Sequence, residues 1–268
     1  MNTLSYDTVT ASGAQPARWL YMLHGIFGSG RNWASVARRL VRDRPGWGVR
    51  LLDLRQHGAS TGFQPPHTLE SAARDVYQLA ESLGESPAAI LGHSFGGKVA
   101  LMYASEHGEA LEQVWIIDST PESRPPGGSA WQMLDIIRAL PGEFRSRNEL
   151  VEQLRENGVA VPTAQWMATN LEEQGGVYRW RFDLDAIEDL LLDFFATDLR
   201  RALENPPGRA HIHVVKAEES DVLSPGAVQR IEELSKDGRV SLHVIAGGHW
   251  VNAENPDALH AILVQYFR

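Results

Sequence analysis

Residues 92–97 read Gly-His-Ser-Phe-Gly-Gly, a serine at the centre of the pattern G-x-S-x-G. A serine hydroxyl is a weak nucleophile at neutral pH and reacts only when a neighbouring base takes its proton. The setting gives the pattern its meaning. It directly follows a short apolar run, Ala88 to Leu91, and directly precedes a helical stretch from Gly97 to about His107. At a sharp strand-to-helix turn only small neighbours let the helix pack against the strand behind it. That turn presents the serine oxygen at the C-terminal edge of the sheet, where open α/β sheets bind ligands. Ser94 is therefore the candidate nucleophile. Without chemistry, the same residues would be a glycine-rich turn.

The candidate base is His249, in Ile245-Ala246-Gly247-Gly248-His249-Trp250, between the last strand-like and the last helix-like segment. Two glycines precede it, and it follows the serine in the chain order nucleophile, acid, base. An oxyanion hole is the third requirement, since stabilising the tetrahedral intermediate is often the largest catalytic effect. The run His24-Gly25-Ile26-Phe27-Gly28-Ser29-Gly30 ends the first buried strand at the same sheet edge. Its flexible backbone can aim an N–H at the developing charge. The expected donors are the N–H groups of Ile26 and of Phe95, the residue after the nucleophile. His24 reads as a structural brace of that loop. No Gly-Lys-Ser/Thr follows Gly30, which argues against a phosphate-cradling nucleotide loop.

These residues need a scaffold, and the chain supplies one as alternating strands and helices. Arg18–Leu23, Val49–Leu54, Ala88–Leu91, Val114–Ile117, His211–Val215 and Val240–Ile245 are short apolar runs of strand type. Helical periodicity separates them at about 33–42, 69–83, 97–107, 225–234 and 257–266. Such alternation implies right-handed crossovers and a mostly parallel sheet covered by helices on both faces. From Ser119 to Arg209 the rhythm breaks. Pro125-Pro126-Gly127-Gly128 opens this stretch and Pro206-Pro207-Gly208 closes it, with no obvious buried strand between. The expected organisation is a core of residues 1–118 and 210–268, with a mostly helical lid at 119–209 inserted after the fourth strand.

The chain resembles the α/β-hydrolase superfamily, and within it a group of small bacterial esterases with mitochondrial relatives. The stretches that carry the resemblance are HGIFGSGRNW, DLRQHGAS, GHSFGGKVALMYA, VWIIDSTP, WRFDLDAI and IAGGHWVNAENPDAL. That group more often has Asn where Gln56 stands and Met where Phe95 stands. Phe95 would act through its backbone, so the hole survives, while the acyl pocket changes shape.

The resemblance also frames the choice of acid. Most members place it after the strand that follows the lid, in a G-x-x-D turn. Here Ala217 falls on the usual glycine and Ser220 on the usual acid, with Glu219 and Asp221 one residue out of register on either side. The esterase group places its acid earlier, at the end of the strand next to the nucleophile strand, and Asp118 stands there. Asp118 is preferred over Asp221, with Glu219 third, because reach to an imidazole is a hydrogen-bond distance. Without that role, Asp118-Ser119-Thr120-Pro121 is good turn chemistry.

Composition narrows the partners. The chain has 268 residues, 43% hydrophobic and 22% charged, and no cysteine, so disulfide scaffolds, zinc–cysteine sites and cysteine nucleophiles are excluded. Twenty-five basic against 34 acidic residues give a net charge of −9, which disfavours nucleic acid. Arg38, Arg39, Arg42 and Arg44 read as one solvated helix face. No run of 18 apolar residues suggests a membrane span, and the start lacks a secretory pattern, so the cytoplasm is the expected compartment. His211 and His213 on one strand face, with His243 on the next, lack a third ligand at metal-site spacing. Neither a metal nor an organic cofactor is expected. Asp53, Arg55 and His57 should brace the active-site loops. Trp131, Met133, Trp166, Trp180 and Phe182 should form the core of the lid, some facing the acyl pocket. The amphipathic stretch 184–199 has an acidic polar side and reads as a lid element rather than a membrane-surface helix.

The expectation is a serine carboxylesterase acting on a small-molecule ester. The same three residues would also serve C–C bond hydrolysis, a lyase or a cofactor-free perhydrolase. A binding module on this fold is the other alternative, against which the presence of Ser94, His249 and nearby acids weighs.

Overall fold

The computed structural model describes residues 2–267. Six apolar runs form parallel strands: β2 (Arg18–Leu23), β3 (Trp47–Leu52), β4 (Ala89–His93), β5 (Gln113–Ile117), β9 (His211–Ala217) and β10 (Val240–Ile245). With β1 (Tyr6–Val9) they make one sheet in the order β1-β3-β2-β4-β5-β9-β10, and β1 alone is antiparallel to its neighbour. Strand β4, which runs into the candidate nucleophile Ser94, is thus central, flanked by β2 and β5. Strand β1 escapes sequence reading because its side chains are only partly buried at the sheet edge.

Both faces of the sheet are covered, and β2 shows how. Its side chains alternate with period two: Tyr21 and Leu23 enter one core, Leu20 and Met22 the other. The second core is closed by α1 (Ala34–Asp43) and, after the single turn α10 (Val251–Glu254), by α11 (Pro256–Tyr266), through Val36, Leu40, Leu259 and Leu263. The first is closed by α2 (Leu69–Leu83), α3 (Phe95–His107) and α9 (Pro225–Leu234). Thr68 caps α2, its hydroxyl accepting the Ser71 N–H at 3.1 Å. Arg44 departs from the solvated-face expectation. Its guanidinium turns inward and donates to the Phe267 and Val264 carbonyls at the end of α11.

The stretch between β5 and β9 carries α4 (Gly128–Ala139), α5 (Arg147–Glu156), α6 (Val161–Ala168), α7 (Leu184–Ala196) and α8 (Arg200–Glu204). It also holds a small antiparallel sheet of β6 (Glu143–Phe144), β7 (Leu171–Gln174) and β8 (Val177–Trp180), in the order β6-β8-β7. An all-helical reading misses this sheet because its strands are two to four residues long and mostly half-exposed. A signal was present. Gly175 and Gly176, at φ of 63° and 86°, form the two-residue turn with positive φ at both positions that joins hairpin strands. The expected helix at 97–107 also begins two residues earlier, at Phe95.

Among the described residues no helix is long and apolar enough to cross a membrane.

Candidate active site

Ser94 is the hinge between β4 and α3, with φ of 52° and ψ of −119°. A non-glycine residue there is strained, at a cost of order 1–3 kcal/mol, and persists only where its surroundings enforce it. The surroundings are glycines. A Cβ on Gly92 would lie 1.9 Å from the Gly96 carbonyl oxygen, and one on Gly96 would lie 2.4 Å from the His24 carbonyl oxygen. The Ser94 N–H donates to the Ile117 carbonyl at 3.0 Å, which locks the turn to the tip of β5.

That tip carries Asp118, fully buried and itself at positive φ, 44°. Its N–H donates to the Val215 carbonyl at 2.7 Å, holding the residue between β4 and β9. One carboxylate oxygen, Oδ1, accepts the Ala217 N–H at 3.0 Å, and Oδ2 lies 2.7 Å from His249 Nδ1. Burial alone would raise this carboxyl. The bonds from His249, the Ser220 hydroxyl and the Ala217 N–H outweigh burial and hold it below the usual carboxylate range. In a neutral imidazole, a proton on Nδ1 donated to this carboxylate leaves the lone pair on Nε2, the arrangement a base requires. Glu219 and Asp221 make no bond to His249. The Glu219 N–H instead donates to the Gly247 carbonyl at 3.0 Å, and Asp221 is exposed at the rim of the cavity. Ser220, which occupies the position of the usual acid, thus supports the carboxylate on the neighbouring strand.

Ile26 and Phe95 both line the same cavity as Ser94. Phe95 opens α3, so its N–H has no helical acceptor, and the Ile26 N–H meets no acceptor among the described residues. Two free donors beside a strained serine can receive a developing oxyanion. Their loops are braced by buried imidazoles. His24 Nε2 accepts the Leu54 N–H at 3.0 Å, and its Nδ1 lies 2.7 Å from the Gly25 carbonyl. His57 Nε2 accepts the Phe27 N–H at 3.2 Å, tying the second loop back to the first. Burial lowers these rings to about 4 and about 3, so both stay neutral. Asp53 adds a third tie, accepting the Gly30 and Ala59 N–H groups at 2.8 Å each. Arg55 pairs with Asp75 at 2.6 Å beneath them.

Two residues inside the serine motif have roles that spacing does not reveal. The His93 ring is buried, and its Nε2 lies 2.8 Å from the His249 carbonyl, so it holds the backbone of the candidate base. Burial, then the neighbouring His249, keeps this ring neutral, at about 3. Lys98 is 1% exposed, and its ammonium donates to the Glu122 and Phe194 carbonyls at 2.9 and 2.6 Å. Its sequence trace is a lysine set in the apolar and glycine-rich first half of α3.

Two cavities meet at Ser94 and His249. One, of about 250 Å³, runs under α4 and α7 past Leu191, Phe194, Phe195 and Val222. The other, of about 140 Å³, lies between Phe27, Met133, Trp166 and Trp250. Ser94 and His249 border both, and their side chains are not hydrogen-bonded to each other in this conformation. Met133 and Trp166 therefore face the site, whereas Trp180 stacks on Phe182 at 5.2 Å inside the insertion. The apolar side of α7, expected as a lid element, is buried against the core and the larger cavity. His211, His213 and His243 lie away from Ser94. His213 Nδ1 is 3.1 Å from His243 Nε2, and the His213 ring stacks on Trp115 at 4.0 Å. Among the described residues no three histidine or acidic side chains are grouped to hold a metal ion.

Comparison with known proteins agrees with this architecture. Residues 18–157 match the model of the α/β hydrolase fold family. The chain is 31% identical over 270 residues to the sn-1-specific diacylglycerol lipase ABHD11 of Xenopus tropicalis, spanning 97% of this chain and 80% of that protein. It is 25% identical to the esterase YbfF of Escherichia coli, over 92% of both chains. Among solved structures, a marine microorganism esterase superimposes with a TM-score of 0.85 at 25% identity, covering 99% of this chain and 100% of that one. The chain belongs to the α/β hydrolase fold family.

Proposed function

We propose that the protein is a serine hydrolase that cleaves small carboxylic esters through an acyl-enzyme on Ser94. The observation that carries this reading is the 2.7 Å bond between buried Asp118 and His249, formed beside a strained serine in one cavity. Ser94 Oγ attacks the ester carbonyl carbon as His249 Nε2 takes its proton. The oxyanion rests on the N–H groups of Ile26 and Phe95, and Asp118 stabilises the imidazolium. His249 then returns the proton to the departing alcohol. Water repeats the sequence on the acyl-enzyme and releases the acid. Cavities of about 250 and 140 Å³ on either side of Ser94 suit short acyl and alcohol portions. Residues 119–209 act as a cap that closes both cavities. The names of the relatives, a lipase and an esterase, favour ester cleavage over the other reactions open to such a triad.

Turnover of p-nitrophenyl acetate, butyrate and octanoate by wild type and S94A tests the reading, together with labelling by a fluorophosphonate. Wild type should hydrolyse the shorter esters and be labelled at Ser94, and S94A should do neither. A wild type that neither turns over these esters nor takes the label overturns it.

A further inference from the structure

Among the described residues, Arg124 is the one cationic side chain lining the larger of the two cavities, and ester cleavage leaves it without a task. It stands on the loop between β5 and α4 and lines that cavity together with Ser94, Phe95 and His249. The loop is pinned there, since the Arg124 N–H donates to the Phe195 carbonyl at 2.8 Å and the guanidinium carbon lies 5.5 Å from the centre of the Phe195 ring. Most arginines elsewhere on the insertion are ion-paired, among them Arg138 with Asp185, Arg200 with Asp198 and Arg179 with Glu143, while Arg147 donates instead to the Leu171 carbonyl. The Arg124 guanidinium has no acidic partner and no side-chain hydrogen bond among the described residues.

The acids of this region are committed elsewhere. Glu122 accepts the Ser224 hydroxyl at 2.8 Å, Asp193 accepts the Leu69 N–H at 2.7 Å, and Asp198 is held by Arg200. Lys98 lies close enough for the Arg124 charge to act on it, and burial followed by that charge lowers the lysine to about 8. Arg124 thus sets a cation at the wall of this cavity in a chain whose net charge is −9. Asp221, exposed on the opposite rim, is the one carboxylate of the lining and forms no ion pair with Arg124. A guanidinium offers a planar fork of donors that matches a carboxylate or phosphate, and an aromatic face beneath it limits its competing hydration.

We propose that Arg124 selects esters bearing a second, anionic group, a carboxylate or a phosphate, which its guanidinium binds while the ester carbonyl lies at Ser94. This rests on the reading of Ser94 as the nucleophile, and the experiment separates the two. Four esters are followed by pH-stat with wild type, R124Q and R124K. They are monomethyl glutarate, with the carboxylate on the acyl side; 4-acetoxybutyrate, with it on the alcohol side; 2-acetoxyethyl phosphate; and neutral methyl valerate. The quantity read is kcat/KM for each anionic ester divided by that for methyl valerate. For at least one anionic ester this ratio should fall about 10- to 100-fold in R124Q, mainly through KM, the range of a charge-assisted hydrogen bond. R124K should keep part of it, and added salt should lower it in wild type. The ester affected identifies the side and the anion. A ratio unchanged within about threefold for all three anionic esters overturns the proposal. Turnover of methyl valerate that S94A abolishes would leave the ester-hydrolase reading intact in that case.

Discussion

Asp118→Asn removes one charge at a fully buried position and keeps nearly the same shape. The asparagine oxygen can still accept the Ala217 N–H, now 3.0 Å from Oδ1, so the strand tip should hold. The loss is at the other oxygen, 2.7 Å from His249 Nδ1. With carboxylate and imidazolium charge centres about 4 Å apart at an effective dielectric near 20, their attraction is about 4 kcal/mol. That corresponds to about three decades in rate. The amide also donates toward Nδ1 and favours the tautomer with the proton on Nε2, which cannot accept the serine proton. A further decade brings the expected loss in kcat to about 10⁴, the scale seen when a triad carboxylate becomes an amide in serine hydrolases. The assay is initial-rate hydrolysis of p-nitrophenyl butyrate, with thermal unfolding followed in parallel to show a cooperative transition. D221N should lose less than about tenfold, because Asp221 is exposed and makes no bond to His249. A folded D118N within about 100-fold of wild type, or a D221N that loses as much as D118N, refutes the assignment.

Other consequences can be checked on stability alone. K98M removes the donor to the Glu122 and Phe194 carbonyls and leaves both without it, so unfolding free energy should fall by about 2 kcal/mol in urea titration. A midpoint equal to that of wild type would show that the ammonium does not hold α7. His24, His57 and His93 are neutral when folded, at about 4, 3 and 3, but take a proton near 6.5 when unfolded. The unfolded chain therefore binds more protons below pH 6.5, and each ring costs up to about 1.4 kcal/mol of stability per pH unit from there down toward its folded pKa. Asp118, lowered in the fold, adds to the loss only as pH falls through and below the ordinary carboxylate range. The urea midpoint should drop clearly between pH 7 and pH 5, and a flat profile contradicts the buried neutral rings.

The sequence by itself determined the elements whose information is local. The elbow around Ser94 follows from glycines within two residues of it, and the six parallel strands follow from short apolar runs, because turn sterics and burial periodicity act over a few residues. The glycines before His249 and the loop holding Ile26 were legible for the same reason. The hairpin at Gly175-Gly176 escapes a reading by apolar runs, because its strands are short and half-exposed and only the glycine pair marks its turn.

Tertiary structure decided which groups meet. From spacing alone Asp118, Asp221 and Glu219 were all within plausible reach of His249. Packing β5 between β4 and β9 put the buried Asp118 carboxylate 2.7 Å from the ring and turned Ser220 into its support. The same packing set His93 against the backbone of His249, sealed Lys98 beneath α7, and brought Arg124 to the wall of the serine cavity. A hydrogen bond is made or lost within half an ångström, and such distances are fixed by the order of strands and the closure of long connections, which no local pattern encodes.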